Sequence, residues 1–268
     1  MISTRRLARP LATFVGVLGL AGGASAAQVM VTVTVENLTP AGSVAFAPLT
    51  LGFHGGTFDA FNIGDAATPE IMPIAEGGNG AAWLASLAAT DSTSIGGAVI
   101  PSPAGPLTPG GMASGTFLVD TSVNPYFSFG TMVVPSNDFF IGNDDPMAYR
   151  LFDNGGNLLI SSITQRSRDI WDAGSEIHDP AAAAFVGNGS LRADQNSVVA
   201  FNFAEFAAYN GLQTAAGYTF DSQLAANSEI YRISFDVAAV PEPQTYGLLA
   251  VGLAIVGWAG RRSVVRMN

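Results

Sequence analysis

From Val29 to Glu36 valine stands at every odd position, with Met30, Thr32, Thr34 and Glu36 between. Side chains of an extended chain point alternately to opposite sides, so a period of two predicts a strand with one buried face. Similar short runs occupy 116–120, 127–134, 149–152, 157–161, 197–203 and 229–237. Asp153-Asn154-Gly155-Gly156 joins two of them and supplies residues that accept positive φ, which predicts a hairpin. Helical patterning is confined to 81–89 and 203–209, both short. Residues 98–112, with four prolines and three glycines, read as a long surface loop, and no internal repeat is present. Many short strands separated by turn clusters predict an all-β fold, an antiparallel β-sandwich with a few short helices.

Charge narrows the partners. The chain has 268 residues, and its eleven cations, all arginine, face 21 acidic residues for a net charge of −10. Between Ala27 and Val240 five arginines oppose twenty carboxylates, a formal charge of −15. Such a segment repels a duplex or an anionic membrane, which excludes nucleic acid and favours divalent cations as partners. The chain lacks cysteine, so thiol nucleophiles, cysteine-bound zinc, iron-sulfur clusters and disulfide staples are all excluded. Stability then rests on a packed core, for which 27–240 is long enough.

Both ends carry processing signals. A basic start, MISTRRLARP, precedes the apolar LATFVGVLGLAGG and Ala24-Ser25-Ala26, the order of a secretory signal peptide spanning 1–26. At the other end Val240-Pro241-Glu242-Pro243 is followed by an apolar stretch from Tyr246 to Gly260 and by Arg261-Arg262. That stretch is shorter than the ~20 residues of a comfortable membrane span, yet the arginines would hold a short transmembrane helix at the cytoplasmic face. An uncleaved anchor at either end is the alternative. The tail, 241–268, resembles the PEP-CTERM sorting signal of exopolysaccharide-producing Gram-negative bacteria. The resemblance implies transient insertion in the inner membrane, removal of the tail by an exosortase, and a mature protein at the cell surface or outside the cell.

Enzyme signatures are missing: there is no G-x-S-x-G elbow, H-E-x-x-H, P-loop or dinucleotide fingerprint. His54 and His178 lie far apart and each reads as a surface or supporting residue. Carboxylates say more. Asp138 stands between a proline turn and the run Phe139-Phe140-Ile141, which predicts a strand end outside the core. Asp172 and Glu176, four apart, flank Gly174, which lets the loop fold back. That arrangement can direct both carboxylates and intervening carbonyls at one ion, and calcium, which takes about six to eight oxygens in irregular loops, suits it better than magnesium. Solvated loop carboxylates are the plainer alternative.

Pro135-Ser136-Asn137-Asp138-Phe139-Phe140-Ile141-Gly142 resembles the Pro-Ser-Pro-Asp-Trp-Phe-Val-Gly signature of the spondin N-terminal domain. Phe127-Ser128-Phe129 fits the strand leading into it, and Asp172-Ala173-Gly174-Ser175-Glu176 is similar to that family's Asp-Ala-Gly-Thr-Asp loop. Val33 to Thr39 resembles its opening strand, and Ile74-Ala75-Glu76-Gly77-Gly78 with 83–87 its Ala-Glu-Gly stretch. The similarity runs through most of 31–237. It implies a C2-like β-sandwich and a calcium ion held by Asp138, Asp172 and Glu176. Asn137, Phe139 and Glu176 depart from the pattern, and the family's cysteines are missing.

Together these features predict one spondin-like domain over 27–240, belonging to a secreted or cell-surface, non-enzymatic, calcium-binding protein. Adhesion, or association with exopolysaccharide and other matrix components of a biofilm, is its expected role. The alternative is a secreted glycosidase using two carboxylates on surface polysaccharide.

Overall fold

Val31, Val33 and Val35 are buried and the residues between them half-buried, as the alternation requires. The computed structural model describes residues 28–240 and 251–253. The signal segment 1–26 and nearly all of the tail, with the transmembrane helix expected there, lie outside the described residues. Among the described residues no helix is long and apolar enough to cross a membrane.

In chain order the strands are β1 (Gln28–Asn37), β2 (Ala45–Phe46), β3 (Leu49–His54), β4 (Ile95–Val99), β5 (Met112–Asp120) and β6 (Tyr126–Val134). They continue as β7 (Phe139–Gly142), β8 (Ser162–Arg166), β9 (Trp171–Asp172), β10 (Ala200–Phe201) and β11 (Glu229–Ala239). Two helices, α1 (Met72–Gly77) and α2 (Ala81–Thr90), lie between β3 and β4. All strand pairings are antiparallel. One sheet has the order β5-β1-β11-β8, and the other β10-β9-β7-β6-β3-β4 with β2 added beside β6. The fold is therefore the expected all-β sandwich with a few short helices.

The valines of β1 meet Leu49, Leu51, Phe53, Phe127 and Phe129 in the core between the sheets. The second sheet is also covered on its outer face, where α1 and α2 bring Ile71, Ile74, Trp83 and Leu87 onto Phe140. This double coverage explains why burial does not alternate along β3 and β6: every residue of β3 and all but the first of β6 are buried. Close approach of α2 depends on Gly52, where an added Cβ would lie 2.4 Å from Leu87 Cδ2.

Several expectations are corrected. Strands expected over 149–152, 157–161 and 197–203 shrink to bridges at Arg150, Phe152 and Leu158 and to the two residues of β10. The hairpin turn at 153–156 is present, with Gly156 at φ 77° and the Asp153 amide donating to the Asn157 carbonyl at 3.0 Å. Helix α1 was not anticipated. Proline in its first turn and six residues of length hide a helical period. The 98–112 loop is pinned at its middle, where Leu107 is buried and exchanges backbone hydrogen bonds with Phe46.

Candidate functional site

Ser136 builds the turn that enters β7. Its hydroxyl donates to the Val133 carbonyl at 2.6 Å and accepts the Phe139 amide at 3.0 Å. Asp138 follows, at the strand end as expected but buried, with 2 % exposure. This corrects its placement outside the core. Burial is tolerable because the carboxylate is met by donors: Oδ2 accepts the amides of Ser175 at 2.7 Å and Glu176 at 3.0 Å, and the Ser175 hydroxyl at 3.2 Å. Its carbonyl takes the Ala173 amide at 3.1 Å. Asp138 thus clamps the 173–176 loop from 37 residues away in sequence.

Gly174 makes that loop possible, at φ 65° and with room for no Cβ, which would fall 2.8 Å from the Val198 carbonyl oxygen. Asp172 Oδ1 accepts the Gly174 backbone amide at 2.7 Å, closing the turn, and Oδ2 accepts Asn202 Nδ2 at 3.0 Å. In register Asp172 sits opposite Phe139, one residue from Asp138. Asp138 is pushed up to about 6, by burial and then by the Asp172 charge, against the pull of the three donors.

Glu176 goes elsewhere. Its carboxylate, 4 % exposed, lies 3.3 Å from Arg192 Nε through Oε1, while Oε2 is buried without a hydrogen-bond partner among the described residues. Burial pushes it up to about 7, opposed by Arg192 and reinforced by Glu76, Asp138 and Asp194. Among the described residues no three acidic or histidine side chains are grouped to hold a metal ion. The structure therefore brings Asp138 and Asp172 together and ties the Glu176 side chain into a separate ion pair.

A neighbouring network was not foreseen. Glu205 accepts Asn202 Nδ2 at 2.6 Å and lies 2.9 Å from His178 Nδ1, which is 3.1 Å from the Tyr209 hydroxyl. Tyr209 donates in turn to Asn137 Oδ1 at 3.2 Å. Glu205 is pushed up by burial and by Asp172, with His178 and Asn202 acting the other way. Asn202 stands just before the helix expected over 203–209 and Glu205 within it, but no local pattern marks their pairing, and His178 and Asn137 are remote in sequence.

His54 is fully buried, so of the two expected roles, surface or supporting residue, it takes the supporting one. Its Nδ1 accepts the Gly56 amide at 3.0 Å, so the proton resides on Nε2, which donates to Ser128 Oγ at 2.9 Å. A histidine that activates a serine accepts from it, so this polarity makes the pair a structural tie rather than a nucleophile.

Comparison with known families matches residues 239–263 to the PEP-CTERM protein-sorting motif. No curated protein matches the chain. The motif marks an exosortase-processed protein of the secreted or cell-surface class in Gram-negative bacteria.

Proposed function

We propose that the exported sandwich is a non-enzymatic, calcium-stabilised surface protein that serves adhesion or association with exopolysaccharide and matrix. One observation carries the calcium reading: Asp138 is buried, its Oδ1 accepts no hydrogen bond from the described residues, and a charged side chain beside it is another carboxylate, Asp172. A divalent cation relieves that repulsion. Asp138 and Asp172 would hold the ion with loop carbonyls, and bound calcium would supply the missing counter-charge. Glu176 would join only by releasing Arg192. The resemblance of 135–142 and 172–176 to the spondin N-terminal domain supports the same pair.

Thermal melting of the exported protein with calcium or magnesium tests this reading. An ion that binds only the folded form stabilises it by about 2.7 kcal/mol at a hundredfold excess over Kd. Calcium should raise the midpoint more than magnesium, and Asp172→Ala should abolish the rise. No rise in the parent would overturn the calcium reading. Reducing ends released from the host's exopolysaccharide would replace the adhesive role by a glycosidase.

A further inference from the structure

Beside the clamped loop runs an open cleft of about 300 Å³, at the lower end of ligand-pocket sizes. One side is formed by Ala173, Gly174 and Ser175, another by Gln195, Asn196 and Ser197. The two are laced together by the Gln195 amide on the Ser175 carbonyl at 2.7 Å and the Ser197 amide on the Gly174 carbonyl at 2.9 Å. The Val199 amide reaches the Asp65 carbonyl on the far side at 2.8 Å, so the segment is fixed before any ligand arrives. Gln195, Asn196 and Ser197 are exposed, and their side chains make no hydrogen bond within the described residues.

We propose that this cleft binds a neutral saccharide through the side chains of Gln195, Asn196 and Ser197. The assignment rests on the reading that the protein associates with surface polysaccharide, and it names the site and the kind of sugar. Amides and hydroxyls each both donate and accept, as sugar hydroxyls do, so a fixed row of them suits a hydroxyl-rich ligand. Met72 and Val198, the latter 44 % exposed, give the cleft an apolar flank for the C–H face of a ring. No residue lining it is charged, while Asp65 and Asp194 stand next in sequence to the lining residues Ala66 and Gln195. An anionic uronate would meet repulsion there and no arginine partner. A peptide would need a charge or a side-chain pocket, and a lining of alanine, glycine and small polar groups offers neither.

The test is calorimetric titration of the full chain with cellohexaose, laminarihexaose and maltohexaose as neutral probes, an alginate hexamer as the anionic one, and a neutral alanine-serine hexapeptide. At least one neutral hexasaccharide should bind, and Gln195→Ala/Asn196→Ala should weaken it about tenfold or more, the worth of roughly one lost hydrogen bond. Alginate and peptide should not bind. Absence of binding by every neutral probe, undiminished binding by the double variant, or preference for alginate or peptide overturns the proposal. Both substituted side chains are unpartnered, so the variant keeps the parent's thermal midpoint and its calcium response. Retention of parent and double variant alike on exopolysaccharide-bearing cells would sink the cleft and leave the surface role standing. Failure of the parent to be retained would sink that role itself.

Discussion

Asp138 meets Glu176 through the backbone: Oδ2 of Asp138 accepts the Glu176 amide at 3.0 Å, while the Glu176 carboxylate lies against Arg192. Two carboxylates flanking a glycine suggested side chains converging on one point. The turn at Gly174 instead sends amides toward Asp138 and the Glu176 side chain toward Glu76, Arg192 and Asp194.

The clamp separates two roles of Asp138, accepting amides and carrying charge. Asp138→Ala leaves the buried Ser175 and Glu176 amides without their acceptor and should cost about 2–3 kcal/mol without calcium. Asp138→Asn keeps an acceptor and removes the repulsion from Asp172, so it should stay near the parent's stability while losing any calcium response. Urea denaturation of both variants checks this. Equal damage by Asn and Ala would mean that charge, not geometry, holds the loop.

Arg192 is the cation set against a buried carboxylate. Its removal strands Glu176, already short of a partner at Oε2 among the described residues, and with the Arg192 side chain 32 % exposed the expected loss is about 2 kcal/mol. Glu176→Gln in the Arg192→Ala background should recover at least half of it. A double-mutant cycle reads the coupling directly, and additive losses would deny the ion pair any role in stability.

How much of this could be read from the chain follows from where each residue's partners lie. Strand β1 was legible because one of its faces is buried and the other is not. Strand β6 was legible as the short run at 127–134, but its burial on both sides was not, because sheet and helices from remote parts of the chain cover it. Gly174 could be recognised as a turn residue, since a positive φ is a local property. The burial of Asp138 and His54 could not, because their partners Ser175 and Ser128 stand 37 and 74 residues away. The Glu176–Arg192 pair likewise depends on how two loops meet, which no local pattern records.

His54 should make the protein acid-sensitive. Burial pushes its pKa down to about 4, with Asp91 pulling weakly the other way, whereas the unfolded chain titrates near 6.5. Between these values the unfolded state binds the proton and the folded state does not, so stability is lost as pH falls from 6.5 toward 4. At about pH 4.5 the loss relative to neutral pH is about 2 kcal/mol. Asp138 and Glu176, pushed up, bind protons better when folded and act in the opposite sense in parent and variant alike. The difference between parent and His54→Asn therefore isolates the histidine. Denaturation at neutral and acid pH should show the parent losing about 2 kcal/mol more than the variant, and parallel pH profiles would refute the assignment.

The position of the sorting motif against the sheet sets where the chain can be cut. Strand β11 remains in register with β1 up to the pair Val29–Ala239, and Pro241 begins the Pro-Glu-Pro sequence two residues later. A segment held in a ladder must unzip before a protease can accept it, whereas proline cannot donate to the ladder and marks its end. Cleavage is therefore expected after Ala239. At the other end Gln28 is already paired with Asp120, so signal removal should leave Ala27 as the first residue. Mass spectrometry of the protein recovered outside the cell should show a chain beginning at Ala27, retaining Ala239 and lacking Arg261 and Arg262. A product ending before Ala239 would mean that β11 opens during processing, and an intact tail on the extracellular protein would mean that the motif is not cleaved.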